Sequence, residues 1–553
     1  MNSTLVQSSS KWTVGIFLAA LCLPPVRAEL VTHLFTDWYG VEAGAVVIKV
    51  NRSVLDAESL DTLEQVKDYY KIGFADGESP PEQVSVPFGV KLRAEVATKS
   101  EPWMIPDRPW ETGGMSLVKV VHYDGLYRVW YMASAKGEPA KWKVVVLPNG
   151  RKKLGGGGTS GGGGLAYMES KDAVNWVKPS LGLVEFRGSK DNNLIIGPGG
   201  GSIFLDRGAP PAERYKAVYK KRIRDFHPEA KEDGPALEGA VSPDGIHWTI
   251  LPAPISDWKG APLANDGHAE VHCDDVTGRY VLYTRANYPR RRSIARASTA
   301  DFRMWRDLPE IILTPGPDED PSVDFYDHPY LYYPGSASTH LMLVSSFHRD
   351  TSRVDMRLGS SMDGSAWNWL SPRSVVELGK LGDWDGGQLY AYGDMVQLPD
   401  GRIAVGMIGY SDRHEDVWRS RFEPGFNSQE RVVWALWEDG RIAGVEAEKL
   451  GEFTTLPLKA TGQPIEINAR TGNSGAGSVQ VDVVIDVAGG QPQVVLRSRL
   501  MIGDLRWHKL EFAEGQLADL AGKTIRLRFQ LYDAKVFGVR GDGLEWVSSY
   551  GRK

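Results

Sequence analysis

A short motif returns four times along the chain and sets the scale of the fold. "SKDAVNW" (Ser170–Trp176), "SPDGIHW" (Ser242–Trp248), "STADFRMW" (Ser298–Trp305) and "SMDGSAW" (Ser361–Trp367) each carry Ser, then Asp, then a closing Trp. Their tryptophans lie 72, 57 and 62 residues apart. Ser and Asp side chains hold the N–H groups of a tight turn, and the aromatic packs over it. Strand-like runs such as "RYKAVYKK", "RYVLYTRA", "LMLVSSFH" and "RIAVGMIGY" fill the intervals. Sustained helical periodicity is confined to "ESLDTLEQVKDYYKI", Glu58–Ile72. One such hairpin every ~40–70 residues, with four strands to a repeat, is the signature of a β-propeller. With a first repeat around "GLYRVWYMAS" the count is five. A β-sandwich alone would show turns every ~8–12 residues and no longer period.

The fold class expected is therefore all-β, a five-bladed β-propeller followed by a C-terminal β-sandwich. The sandwich is read from the change of texture after about Arg431, where "VQVDVVIDVAGG" and "TIRLRFQLYDAKVFGV" alternate without the Trp turn. The expected domains are 1–28 signal peptide, 29–100 an N-terminal extension packing on the propeller, 101–430 the catalytic propeller and 431–553 the sandwich. Lys11, the apolar run Trp12–Leu23 and Val26-Arg27-Ala28 make the signal. Leu21 before Cys22 disfavours a lipid anchor, and no later run approaches the ~20 apolar residues of a membrane span. A secreted or periplasmic protein with no membrane anchor is expected. Cleavage removes Lys11 and Arg27 and no acid, so the net charge of -6 becomes -8, which argues against nucleic acid as a partner. It also removes one of two cysteines and leaves Cys273 without an intramolecular disulfide, a buried strand thiol by expectation. "LGGGGTSGGGG", Leu154–Gly164, lacks the Lys-Ser/Thr ending of a phosphate-binding loop and reads as a mobile flap or spacer.

Longer stretches carry a family resemblance. "PWMIPDRPWE" leading to "YRVWYMA", then "GSIFLDRGAPPAERYKAVYK", "GRYVLYTR", "VDFYDHP", "GDWDGGQLY" and "ALWEDGRIAGVEAEKLGEFTTLPL" together resemble the five-bladed propeller glycoside hydrolases of families 32, 43, 68, 117 and 130. More narrowly, the chain looks like a secreted bacterial subgroup of that class. The resemblance covers nearly the whole mature chain and implies a propeller that acts on carbohydrate. The chain departs from family 32 in having no Trp-Met-Asn-Asp-Pro-Asn-Gly-like motif, no Arg-Asp-Pro and no Glu-Cys of that family's catalytic set, so fructan specificity and those assignments do not transfer.

Glycosidic cleavage commonly uses two carboxyl groups across the scissile bond, one protonated as acid, the other ionised as nucleophile or base. In a propeller the innermost strands begin around one end of the central channel, so acids at strand starts are the candidates. They are Glu111 in "RPWETGG", Asp266 in "NDGHAEVHCDD", Asp324 in "PSVDFYDHP" and Asp385 in "GDWDGGQLY". Asn192, His268, Tyr326, Asp327, His328 and Trp384 are the candidate substrate contacts, through hydroxyl-binding polar groups and aromatic stacking faces. Between Asp324 and Asp327 the resemblance favours Asp324, while Tyr330, Tyr332 and Tyr333 read mainly as packing.

"HAEVH" invites comparison with a zinc motif. That motif is His-Glu-x-x-His on a helix, whereas here period two puts Asp266, His268, Glu270 and His272 on one side of a strand. No cofactor is expected. Two rivals stand beside the hydrolase: a non-catalytic carbohydrate-binding propeller, which predicts acids neutralised by Arg and Lys, and a metal-dependent hydrolase on His268, His272 and His328.

Overall fold

The structure is a computed structural model. It describes residues 30–547 other than 43, 50–80, 138–140, 147–151, 158–160, 198–200, 232–233, 259–268, 275–276, 288–290, 318, 337–338, 371–372, 419–428, 473–476 and 488–491. The signal segment and the Glu58–Ile72 stretch lie outside these residues. Among the described residues no helix is long and apolar enough to cross a membrane.

Antiparallel meanders succeed one another through the first four-fifths of the chain. The first contains Gly114–Tyr123, Leu126–Ser134 and Gly163–Ser170. The second runs Ser202–Leu205, Tyr215–Arg222, Pro235–Ser242 and Thr249–Ile250. The third runs Ala269–Asp274, Arg279–Asn287, Arg292–Thr299 and Glu310–Leu313. In the fourth the innermost strand is split into Val323–Phe325 and Tyr330–Tyr332, followed by His340–His348, Arg353–Ser361 and Asn368–Trp369. The fifth has Gln388–Gln397, Ile403–Tyr410 and Glu430–Trp437, and its outer strand comes from far upstream, Thr98–Lys99.

Side-chain alternation closes these meanders into a ring. In Leu126–Ser134, Tyr127, Val129, Tyr131 and Ala133 join a cluster shared with the fifth meander, while Trp130 joins one shared with the second. The second and third meanders meet through Val218, Leu237, Val271 and Leu282. Tyr283, Ile294, Phe325 and Val344 join the third to the fourth, and Leu343, Leu358, Leu389 and Val405 join the fourth to the fifth. Each sheet thus buries both faces, one against each neighbour, which is the packing of a propeller. Each fully buried Leu, Val or aromatic in these interfaces contributes roughly 1.5–3 kcal/mol.

The repeated turns are built as their residues require. Ser242 Oγ accepts from the N–H groups of Asp244 and Gly245, Asp244 Oδ1 from those of Ile246 and His247, and Trp248 Nε1 donates to Gly245 O. Ser361, Asp363 and Trp367 repeat the pattern. In the third copy Thr299, not Ser298, takes the hydroxyl role: its Oγ1 accepts from Asp301 N at 3.1 Å.

Beyond the ring, Ala443–Thr454, Ile465–Thr471, Ser478–Ile485 and the 19-residue strand Thr524–Asp542 wrap one apolar core. The strand Glu430–Trp437, placed in the C-terminal unit by texture, belongs to the fifth meander. The segment before the ring divides its pairing: Leu30–Leu34 and Lys91–Ala94 add to the C-terminal sheet, and Thr98–Lys99 adds to the fifth meander. The glycine-rich stretch is a loop only in part. Lys152–Gly157 pairs with Lys141–Val146 as a hairpin, and Gly163 lies within a strand of the first meander. Gly163 has φ +128, and a Cβ there would come within 2.2 Å of Ala133 O, so close backbone approach demands glycine.

Candidate active site

Register places the starts of the innermost strands, and the ends of the second strands, at one mouth of the ring: Val323 lies opposite His348, and Gln388 opposite Tyr410, which faces Glu430. Three of the four acids expected to be catalytic are described there, and each is held by cations. Glu111 is buried in the short turn Pro109–Glu111. It accepts from Tyr131 Oη at 2.6 Å, from the backbone N–H groups of Asp107 and Arg108, and from Lys178 Nζ at 2.8 Å. Asp324 is buried and pairs with Arg292 Nη1 at 2.8 Å, with Arg349 and Arg291 at 3.8 and 4.0 Å. Asp385 is buried and pairs with Lys99 Nζ, brought in by the upstream outer strand. Asp266 and His268 lie outside the described residues.

The candidate contacts separate into scaffold and site. The Asn192 amide donates to Val184 O and Ser189 O and its carbonyl accepts from Leu194 N, so it braces its own turn. Trp384 packs beside the fourth-to-fifth interface, with Lys99 Nζ 5.7 Å from its ring centroid. Tyr326, Asp327 and His328 occupy the break in the innermost strand of the fourth meander. Backbone bonds Tyr326 N to Ser345 O and Ser345 N to Asp327 O, both 2.8 Å, carry the sheet across that break.

Around this break the mouth is aromatic and polar. Arg285 stands 4.3 Å over the Tyr326 ring and Arg292 5.2 Å from it. Tyr326 Oη and His414 Nε2 are 3.0 Å apart. Asp327 is buried; its Oδ2 meets Tyr392 Oη at 3.4 Å, and its Oδ1 has no hydrogen-bond partner among the described residues. Burial, followed by the charge of Asp327, pushes the Tyr390 and Tyr392 phenols well above their ordinary range, so both remain donors at neutral pH. Tyr390 donates to Gln388 Oε1 at 2.8 Å.

One residue of this mouth, Glu430, is absent from the sequence-based candidates. It was hidden because it begins a third strand rather than an innermost one. Its Oε1 accepts from Met115 N at 3.2 Å. It stands exposed at the start of its strand, yet the protein atoms around the carboxyl push its pKa up, the Met115 bond opposes this, and Asp412 adds to it.

The strand reading of "HAEVH" holds for its described part, Ala269–His272, which lies within the strand Ala269–Asp274. Glu270 is buried and bonds to Lys119 Nζ at 2.7 Å, with Asp394 on the other side of the same ammonium, a triad of three innermost strands. His272 stacks on Tyr330 at 3.6 Å, and Cys273 is half-buried in the same strand. Among the described residues no three His, Cys, Asp or Glu side chains converge as a metal site.

No known protein family and no curated protein matches the chain. Solved structures do. An N-acetylgalactosamine deacetylase from F. plautii, in complex with blood group B trisaccharide, is 13% identical over 64% of this chain and 96% of its own, with a TM-score of 0.37. The catalytic domain of the Coprinopsis cinerea GH62 α-L-arabinofuranosidase is 15% identical over 62% and 96%, with a TM-score of 0.35. The sucrose-6-phosphate hydrolase from Lactobacillus gasseri is 10% identical over 81% and 93%, with a TM-score of 0.34.

Proposed function

We propose that the protein is an exported, carbohydrate-active enzyme, a glycoside hydrolase that takes a poly- or oligosaccharide at the mouth formed by the third, fourth and fifth meanders. The observation that carries this reading is Asp327: a buried carboxylate with one oxygen unpartnered among the described residues, at a strand break ringed by phenols. A buried acceptor without a partner costs stability, on the order of 1–3 kcal/mol, and is retained where it serves function. The Tyr390 and Tyr392 phenols stay protonated and donate to Gln388 and Asp327, which keeps the pocket wall polar, and Tyr326 offers an aromatic face to a sugar ring. Export rests on Lys11, Trp12–Leu23 and Ala28.

A second reading, a saccharide-binding propeller without turnover, is favoured by the cation partners of Glu111, Asp324 and Asp385. Screening the purified protein against polysaccharides and 4-nitrophenyl glycosides, with Asp327→Asn, Asp266→Asn and Glu111→Gln beside it, separates the two. Turnover lost in Asp327→Asn supports the hydrolase; binding without turnover by the unaltered protein supports the second.

A further inference from the structure

Two carboxyls at the mouth, Asp327 and Glu430, have no Lys or Arg within ion-pair distance among the described residues, in contrast to Glu111, Asp324 and Asp385. Resting on the hydrolase reading, we infer that these two are the reacting pair: Glu430 protonates the departing sugar oxygen, and Asp327 takes the proton of the attacking water.

Four observations converge. Glu430 begins its strand directly opposite Tyr410, whose own partner is Gln388 at the start of the fifth innermost strand, so its carboxyl stands at the mouth. That carboxyl turns toward the first meander, where Gly114 has φ +125 and a Cβ would lie 3.7 and 3.8 Å from its two oxygens. The positive φ of Gly114 favours glycine there, and the next residue's amide, Met115 N–H, reaches Glu430 Oε1. The Tyr410 phenol feels the charge of both acids: burial and then Glu430 push it up, a bond from Ser116 opposes this, and Asp412 and Asp327 add to it. Asp327, finally, has its free acceptor among phenols that stay protonated. The groups that bear on Glu430 are Asp412, Tyr410 and the Met115 amide, and none of them is a cation.

The two acids thus differ in the way an acid–base pair needs. Glu430, open to solvent at the mouth, is shifted toward its protonated form, and Asp327 presents an open acceptor oxygen. As the glycosidic C–O bond breaks, its electron pair stays on the departing oxygen, which takes the proton from Glu430. The water oxygen bonds to the anomeric carbon and gives its proton to Asp327. Both acids then exchange with solvent, and the sum is one bond hydrolysed by one water.

The test compares leaving groups. On methyl or oligosaccharide glycosides, Glu430→Gln should lose about 10²–10⁴-fold in kcat. On 2,4-dinitrophenyl glycosides of the same sugar, whose leaving group needs no proton, the loss should be under about 10-fold. The alkaline limb of kcat/KM should vanish in Glu430→Gln and return in part in Glu430→Asp. Asp327→Asn should lose activity on both substrate sets, with the melting temperature showing that each variant is folded. Equal losses of Glu430→Gln on both leaving groups, or an unchanged alkaline limb, overturn the assignment while leaving the hydrolase reading in place. No turnover by the unaltered protein on any sugar overturns both.

Discussion

Trp130 Nε1 donates to the carbonyl of Gly245 over 2.7 Å, which fastens the second strand of the first meander to the repeated turn of the second. Tyr283 does the same from the third to the fourth, donating to Gly364 O at 2.6 Å. The repeated turn therefore closes its own hairpin and latches the neighbouring sheet.

Gly245 has φ +77, and a Cβ on it would come within 2.4 Å of the Trp130 ring. Gly245→Ala combines left-handed backbone strain with overpacking and should cost about 3 kcal/mol. Trp130→Phe loses the hydrogen bond and some volume and should cost about 2–4 kcal/mol. Both should lower the urea midpoint of unfolding; an unchanged midpoint for Gly245→Ala would show that the turn yields without disturbing the interface.

Glu111 precedes a strand, the position expected of a reacting acid, but its partners are those of an acid that braces its own turn. It gathers a phenol, two backbone N–H groups and Lys178, whose side chain is itself buried. Glu111→Gln should cost about 3 kcal/mol by leaving the Lys178 ammonium without its buried counter-charge. Once folded, the variant should retain kcat within a few-fold. Thermal melting with kinetics on the same preparation checks this, and a folded but inactive variant would return Glu111 to the reacting set.

The turns were legible because their internal chemistry is local: a Ser or Thr, an Asp and a Trp within seven or eight residues determine the bonds that close each hairpin, though not the latch from the neighbouring sheet. The neutralising cations were not. Lys178 is 67 residues from Glu111, Arg292 is 32 from Asp324 and Lys99 is 286 from Asp385. Such pairings follow from ring closure, which no local pattern encodes. For the same reason Thr98–Lys99 gave no sign of being the outer strand of the fifth meander: two residues carry no period. Glu430 escaped because the rule applied, an acid before an innermost strand, omits third strands whose starts face the same mouth.

Stability should fall with acid in two steps. Burial, then His340, Lys119 and Arg296, hold the His272 imidazole well below its ordinary value. The unfolded chain binds that proton near pH 6.5 and the native state does not, so this stability is present above about pH 6.5 and declines below it. His33, also depressed by burial, adds to this step. Asp244 and Asp363 are pushed up by burial but more strongly down by backbone N–H bonds, and Asp482 by Arg497 and Arg528. Their stability is present above about pH 4 and lost as pH falls through the lower native values. Urea midpoints at pH 8, 5.5 and 3.5 should trace both steps. His272→Phe should shrink the first, and Asp244→Asn with Asp363→Asn the second; a single step near pH 4 in the unaltered protein would contradict the role of His272.

Asp324 and Asp327, three residues apart, should respond in opposite ways to the same substitution. Asp324→Asn strips the counter-charge from Arg292, with Arg291 and Arg349 close behind. Because Arg292 is about one-third exposed, solvent softens the loss, and a cost of about 2 kcal/mol is expected. Asp327 has no such partner among the described residues, and its Oδ1 is an unsatisfied buried acceptor. Asp327→Asn removes the uncompensated negative charge from the pocket, so stability should hold or rise by up to about 1 kcal/mol while turnover falls by about 10²-fold or more. A site kept at the expense of stability shows itself by that split. Paired measurement of urea midpoint and kcat in the two variants decides it: a destabilised Asp327→Asn with intact turnover would make Asp327 a structural residue and return the chemistry to the Asp324 side of the strand break.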